Sequence, residues 1–250
     1  MFKLIKYEFR KQAFSKLVIL AILGLIEVVF LIGIGLNKED MVGNSMGILV
    51  LFTFGALFFL AFESIITFNG DLKQKQSYML FLTPNTTYGI VGSKVLYAAI
   101  QIVLAGIAFA AVFAVNGGIL VAKYSSIAQI KEMILQGINQ LYNIDVKTSY
   151  VILAIILVIC TWLSTVTVAF FSITLSSTFL ADKRFKGFVS FVIFLLLNYV
   201  FSFISEHTIG NLDINQNINL YLILEILYML CFTVITYVGT AWMLDKKVSV

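Results

Sequence analysis

The stretch LVILAILGLIEVVFLIGIGL, residues 17–36, decides the fold. It carries one charge, Glu27, and is long enough to cross the hydrocarbon core of a bilayer as an α-helix, which takes about 20 mostly apolar residues. Five further runs read the same way: Met46–Phe68, Val91–Val115, Tyr150–Leu180, Phe188–Ile204 and Leu220–Leu244. None alternates in polarity as a barrel strand does. The first run exceeds a signal-peptide core and has no small-residue cleavage site after it, so it predicts a retained span. The expected fold is an all-α membrane protein with six transmembrane helices.

Composition agrees. Of 250 residues, 60% are hydrophobic and 12% charged, with a mean hydropathy of +1.00. A soluble domain is nearer 45–50% apolar and about 25% charged. The two cysteines, Cys160 and Cys231, sit inside apolar runs, where they read as small core residues rather than a disulfide framework.

Cationic residues orient the spans. With the N-terminus inside, the inner segments hold Lys3, Lys6, Arg10, Lys11 and Lys16, then Lys73, Lys75 and Lys94, then Lys183, Arg184 and Lys186, then Lys246 and Lys247. The outer segments hold only Lys38, Lys123, Lys131 and Lys147. The positive-inside rule therefore places both termini in the cytoplasm. The net charge of +4 is accounted for by topology, and no nucleic-acid partner is expected.

Four non-spanning segments differ in character. In Met1–Lys16, Phe2, Ile5, Phe9 and Ala13 recur at helical spacing among basic residues, which predicts an amphipathic helix on the inner surface; a plain cationic anchor is the simpler reading. Residues 69–93 open with Asn69 and Asp71 as candidate helix caps and end their apolar cluster, Tyr78, Met79, Leu80, Phe81 and Leu82, at the single proline, Pro84. That cluster either dips into the interface or forms a docking knob for a cytosolic partner. In the long outer segment 116–149, Ile127, Ile130, Ile134, Ile138 and Leu141 mark a second amphipathic helix. Ser205–Asn219 reads as a solvated outer loop that contains the one histidine, His207.

Three carboxylates interrupt the runs. A charge at mid-bilayer costs at least about 2.5 kcal/mol, so each must face protein or water, be protonated, or lie near an interface. Glu63 is near an interface. Glu27 and Glu225 lie deeper, where they share a polar core or line a route. Thr161, Thr165, Ala169, Ser172 and Ser176 share one helical face, as in tight helix packing or, less simply, a pore lining. Gly106, Ala110 and Ala114 repeat the packing pattern.

Enzymatic signatures are missing. The chain has no phosphate loop, no H-E-x-x-H and no G-x-S-x-G, so no catalytic residue, metal or cofactor is expected in it. Any thermodynamic work must draw on a partner, an ion gradient or the membrane potential.

Three stretches carry a family resemblance: LIKYEFRK at Leu4–Lys11, GDLKQKQSYMLFLTPNTTYGIVGSKVL at Gly70–Leu96, and AWMLDKKVSV at Ala241–Val250. They resemble the entry helix, the coupling segment between the second and third spans, and the close of the last span in ABC-2 type permeases, the membrane subunits of ATP-driven exporters. The resemblance implies a coupling role for Asp71–Leu82, with Asp71, Leu72, Lys73, Gln76, Tyr78, Met79, Phe81 and Leu82 facing a separate ATPase that binds ATP and Mg. It also implies a second permease copy, a bacterial plasma-membrane location, and an amphiphilic cargo such as a peptide toxin, antimicrobial peptide or drug. Lys183, Arg184 and Lys186 either anchor the second inner loop or add a contact with the ATPase. Glu27, Glu225, Thr161, Thr165 and Ser172 are candidates for the translocation path. One departure from the family stands out: Ser205–Asn219 is too short and polar for the re-entrant hairpin often found before the last span. Two rival readings remain, a proton-coupled transporter using Glu27 and Glu225, and a scaffold or sensor that docks a cytosolic protein.

Overall fold

The computed structural model describes residues 2–73, 86–124, 148–179, 185–210 and 218–246. Among them are seven helices and no strand: α1 (Phe2–Lys11), α2 (Ala13–Gly35), α3 (Glu39–Lys73), α4 (Thr87–Tyr124), α5 (Thr148–Phe179), α6 (Lys186–Thr208) and α7 (Ile218–Lys246). The last six are each long and apolar enough to cross a membrane. The chain is a multi-pass membrane protein. Each expected run lies inside one of these helices, except that Leu36 caps α2 and Leu180 lies outside the described residues. Most helices extend past their apolar run, because backbone hydrogen bonding continues to satisfy N–H and C=O groups where polar side chains begin.

Cross-helix contacts fix the directions. Glu63 of α3 meets Ser15 and Lys16 of α2, while the opposite end of the same pair brings Gly33 against Val42. The turn between them is a Schellman ending. Asn37 takes φ 51°, its N–H bonds the Ile34 carbonyl, and the Lys38 N–H bonds the Gly33 carbonyl at 3.1 Å. Asparagine tolerates that left-handed backbone better than most side chains. On α5 and α7 the contacts advance together, Thr167 to Thr236 and Phe171 to Gly239, so these helices are parallel. The start of α1 and the end of α7 therefore lie at the same end of the bundle, here termed the terminal end; the other is the far end.

The main buried cluster sits toward the terminal end. Phe68 of α3, Val91, Val95 and Ala98 of α4, Val166, Phe170 and Ile173 of α5, and Ala241 and Leu244 of α7 pack together. The Phe68 and Phe170 rings stack at 4.1 Å. A second cluster joins Leu23 of α2, Leu49 and Ala56 of α3, and Phe109 of α4. By contrast, α6 has no buried residue and presents Phe188, Phe191, Leu195 and Leu196 outward, as expected of a helix bathed in lipid.

Several local expectations change. Asn69 and Asp71 do not start a helix; α3 runs through them to Lys73, because Leu72 packs on the main cluster and Asp71 is ion-paired. The α1 face is not purely apolar. Ile5 is buried, but so are Glu8 and Gln12, while Phe2 is 89% exposed and Ala13 begins α2 on the surface. His207 and Glu206 belong to the last turn of α6 rather than a loop. Gly106, Ala110 and Ala114 lie on the exposed surface of α4, with nothing within 4 Å of a Cβ built at Gly106. Among the described residues, the close glycine contacts between helices are instead Gly239 against the Phe171 ring and Gly33 against Val42. The amphipathic helix expected around Ile127–Leu141 lies outside the described residues.

Candidate functional site

Two sites stand out: a charge cluster at the terminal end and a pair of cavities along α5. The cluster begins on α1, where Glu8 and Gln12 lie one turn apart on the same face. On α4, Lys94, Tyr97 and Gln101 fall at spacings of three and four, so they also share a face. The two faces meet. The Phe9 and Tyr97 rings pack edge to face at 4.8 Å, and around that contact the polar groups pair.

Lys94 donates to both Glu8 and Asp71, and Lys11 donates to the other oxygen of Asp71. The resulting chain, Glu8–Lys94–Asp71–Lys11, alternates in charge and ties α1, α3 and α4 together. The Lys94 and Glu8 side chains are 6% and 5% exposed. Beside them, Lys16 donates to Glu63 at 2.6 Å and to Gln12 at 2.9 Å. Tyr97 also donates to the Gln12 amide oxygen at 2.9 Å, and Ser15 donates to Glu63. Gln101 donates to the Leu60 carbonyl at 3.1 Å. Three lysines thus face three carboxylates. Buried charges are tolerated only when paired in this way.

The first cavity lies at the far end and encloses about 410 Å³ between α5, α6 and α7. Thr161 and Thr165 line it from α5, Asn198 and Glu206 from α6, and Tyr221 and Glu225 from α7. Ser205 donates to Glu225 at 3.0 Å. The second cavity is an apolar groove of about 440 Å³ between α3, α5 and α6, lined by Phe58, Phe62, Ile173, Phe191 and Phe194. Thr165 lines both.

The chain matches no protein-family model, no curated protein and no solved structure.

The candidate path residues divide. Thr161, Thr165 and Glu225 come together at the far-end cavity. Ser172 does not line it; that side chain is buried and donates to the Val168 carbonyl at 2.8 Å. Thr161 and Thr165 likewise bond carbonyls one turn back, the usual way for hydroxyls inside an apolar helix. Glu27 and Glu225 take separate partners: Glu27 accepts from the buried Asn116 of α4 at 2.9 Å, and Glu225 accepts from Ser205 of α6.

Of the candidate coupling residues, Asp71 lies in the charge cluster and Leu72 on the main apolar cluster. Lys73 ends α3. Gln76, Tyr78, Met79, Phe81 and Leu82 lie outside the described residues, as do Lys183 and Arg184; Lys186 opens α6. Glu8, Gln12, Lys94, Tyr97 and Gln101 are the site residues that segment-by-segment reading missed. Their signal is a polar stripe at helical spacing inside an apolar run, visible in Lys94, Tyr97 and Gln101.

Proposed function

We propose that this chain is the permease subunit of an ATP-driven ABC exporter of the ABC-2 type. It sits in a bacterial plasma membrane with both termini cytoplasmic and moves an amphiphilic peptide, peptide toxin or drug outward. Hydrolysis of ATP takes place in a separate ATPase subunit, and two permease chains with two ATPases surround the path.

The observation that carries this reading is the position of the charge cluster. Asp71 stands two residues before the end of α3, at the entrance to the inner segment, and its carboxylate is shared by Lys94 of α4 and Lys11 of α1. A force applied to that segment by a docked protein is delivered at once to three helices through ionic contacts. An interfacial helix bound to both neighbouring spans suits a driven subunit. The separate partners of Glu27 and Glu225 weigh against the proton-carrier reading, which favours a connected relay.

The test is copurification. Solubilised from its native membrane, the chain retains an ATPase subunit. With Tyr78, Met79 and Phe81 together replaced by Ala, the spans remain inserted, the ATPase is lost and ATP-driven transport stops. Intact ATP-driven transport in that triple variant refutes the coupling assignment.

A further inference from the structure

Among the described residues, some carboxylates are ion-paired and others are not. Glu8, Glu63 and Asp71 are each held by a lysine. Glu225 and Glu206, at the far-end cavity, have no ion pair among the described residues, and Glu225 receives only the neutral hydroxyl of Ser205. The described lining of that cavity contains no Lys, Arg or His, and neither does the lining of the adjoining groove. A half-buried carboxylate beside an apolar medium is stabilised by an opposite charge, and here the described residues supply none.

The neighbouring space defines the rest of the ligand. From Thr165 the surface changes from polar to apolar, with Phe58, Phe62, Phe191 and Phe194 along the groove toward the terminal end. The two spaces, about 410 Å³ and 440 Å³, each fall in the range of small-molecule sites, roughly 300–1,000 Å³. An anionic amphiphile is repelled at the polar end, and a neutral hydrocarbon leaves Glu225 without a counter-charge.

We propose that the two cavities are the halves of one binding site for a cationic amphiphile, with its cationic group beside Glu225 and Glu206 and its apolar body in the groove. This names the substrate class of the exporter and rests on that reading only for transport; binding itself needs no ATPase.

The test uses Trp162, which lines the groove, as reporter. The full chain, with Trp242→Phe so that Trp162 is the sole tryptophan, is placed in phosphatidylcholine nanodiscs. It is titrated with dodecyltrimethylammonium brominated on its tail and with the equally brominated dodecyl sulfonate. The cation is expected to quench Trp162 at about tenfold lower concentration than the anion, and Glu225→Gln is expected to remove about tenfold of that preference. Glu206→Gln, at an exposed position, reduces it by about twofold to threefold. Equal quenching by the two probes overturns the proposal, as does an unchanged preference in Glu225→Gln. If Glu225→Gln does not fold, as judged by size-exclusion chromatography, the cation-to-anion ratio and the Glu206→Gln shift decide. Absence of a copurifying ATPase fails the exporter reading and leaves this binding result standing; equal binding fails this proposal and leaves ATP-driven transport standing.

Discussion

Lys94 of α4 is ion-paired with Glu8, 86 residues earlier on α1, and both side chains are almost fully buried. Neither charge is tolerable alone at that depth. Lys94 also holds Asp71, so one ammonium fixes the interfacial helix and the end of the second span at once.

Replacing Lys94 with Met strands Glu8 and leaves Asp71 with Lys11 alone. The expected loss is about 3–5 kcal/mol, the usual result of removing one partner from a buried pair. Thermal unfolding in detergent, followed by tryptophan fluorescence, measures it. The double variant Glu8→Gln with Lys94→Met is expected to be more stable than Lys94→Met alone, since the stranded charge is gone. Simple additivity of the two single losses contradicts the pairing.

Tyr97→Phe removes the hydroxyl that donates to Gln12 and keeps the ring against Phe9. Gln12 still accepts from Lys16, so no acceptor is stranded. The expected cost is about 1 kcal/mol in the same unfolding assay, well below that of Lys94→Met.

The glycines of α4 and α7 separate cleanly. A Cβ at Gly239 falls 2.8 Å from a ring carbon of Phe171, so Gly239→Val forces α5 and α7 apart, at about 1–3 kcal/mol. At Gly106 a Cβ meets nothing within 4 Å among the described residues, which leaves room for Gly106→Val. In the monomer its effect stays within about 0.5 kcal/mol. Unfolding of the monomeric protein at low concentration compares the two.

Glu27→Gln distinguishes the driven exporter from a proton-coupled transporter. Glutamine can still accept from Asn116, which preserves the contact to α4. ATP-driven transport in proteoliposomes is expected to continue at close to the parental rate. Abolition of transport by this substitution, with the chain still folded, favours the proton carrier.

The six spans were legible because crossing a bilayer is a local requirement. Residues 17–36 must be apolar and helical whatever lies beside them, since no water is present to satisfy their backbone. The same logic drew attention to Glu63, Glu225 and Thr165. What the sequence left open was the pairing between helices. In Leu4–Lys11, Glu8 looks like one acid among bases, and only the docking of α1 on α4 makes it the buried partner of Lys94. Asn69 and Asp71 look like caps, yet α3 continues past them because Leu72 finds an apolar pocket and Asp71 finds two lysines. Gly106, Ala110 and Ala114 have the spacing of a packing seam, but that face of α4 is exposed while Gly239 makes the close contact. Helix formation and membrane insertion depend on residues three or four apart and on length, which one chain displays openly. Which faces meet depends on side chains tens of residues apart, and for Glu8 and Lys94 that choice was made by the tertiary structure alone.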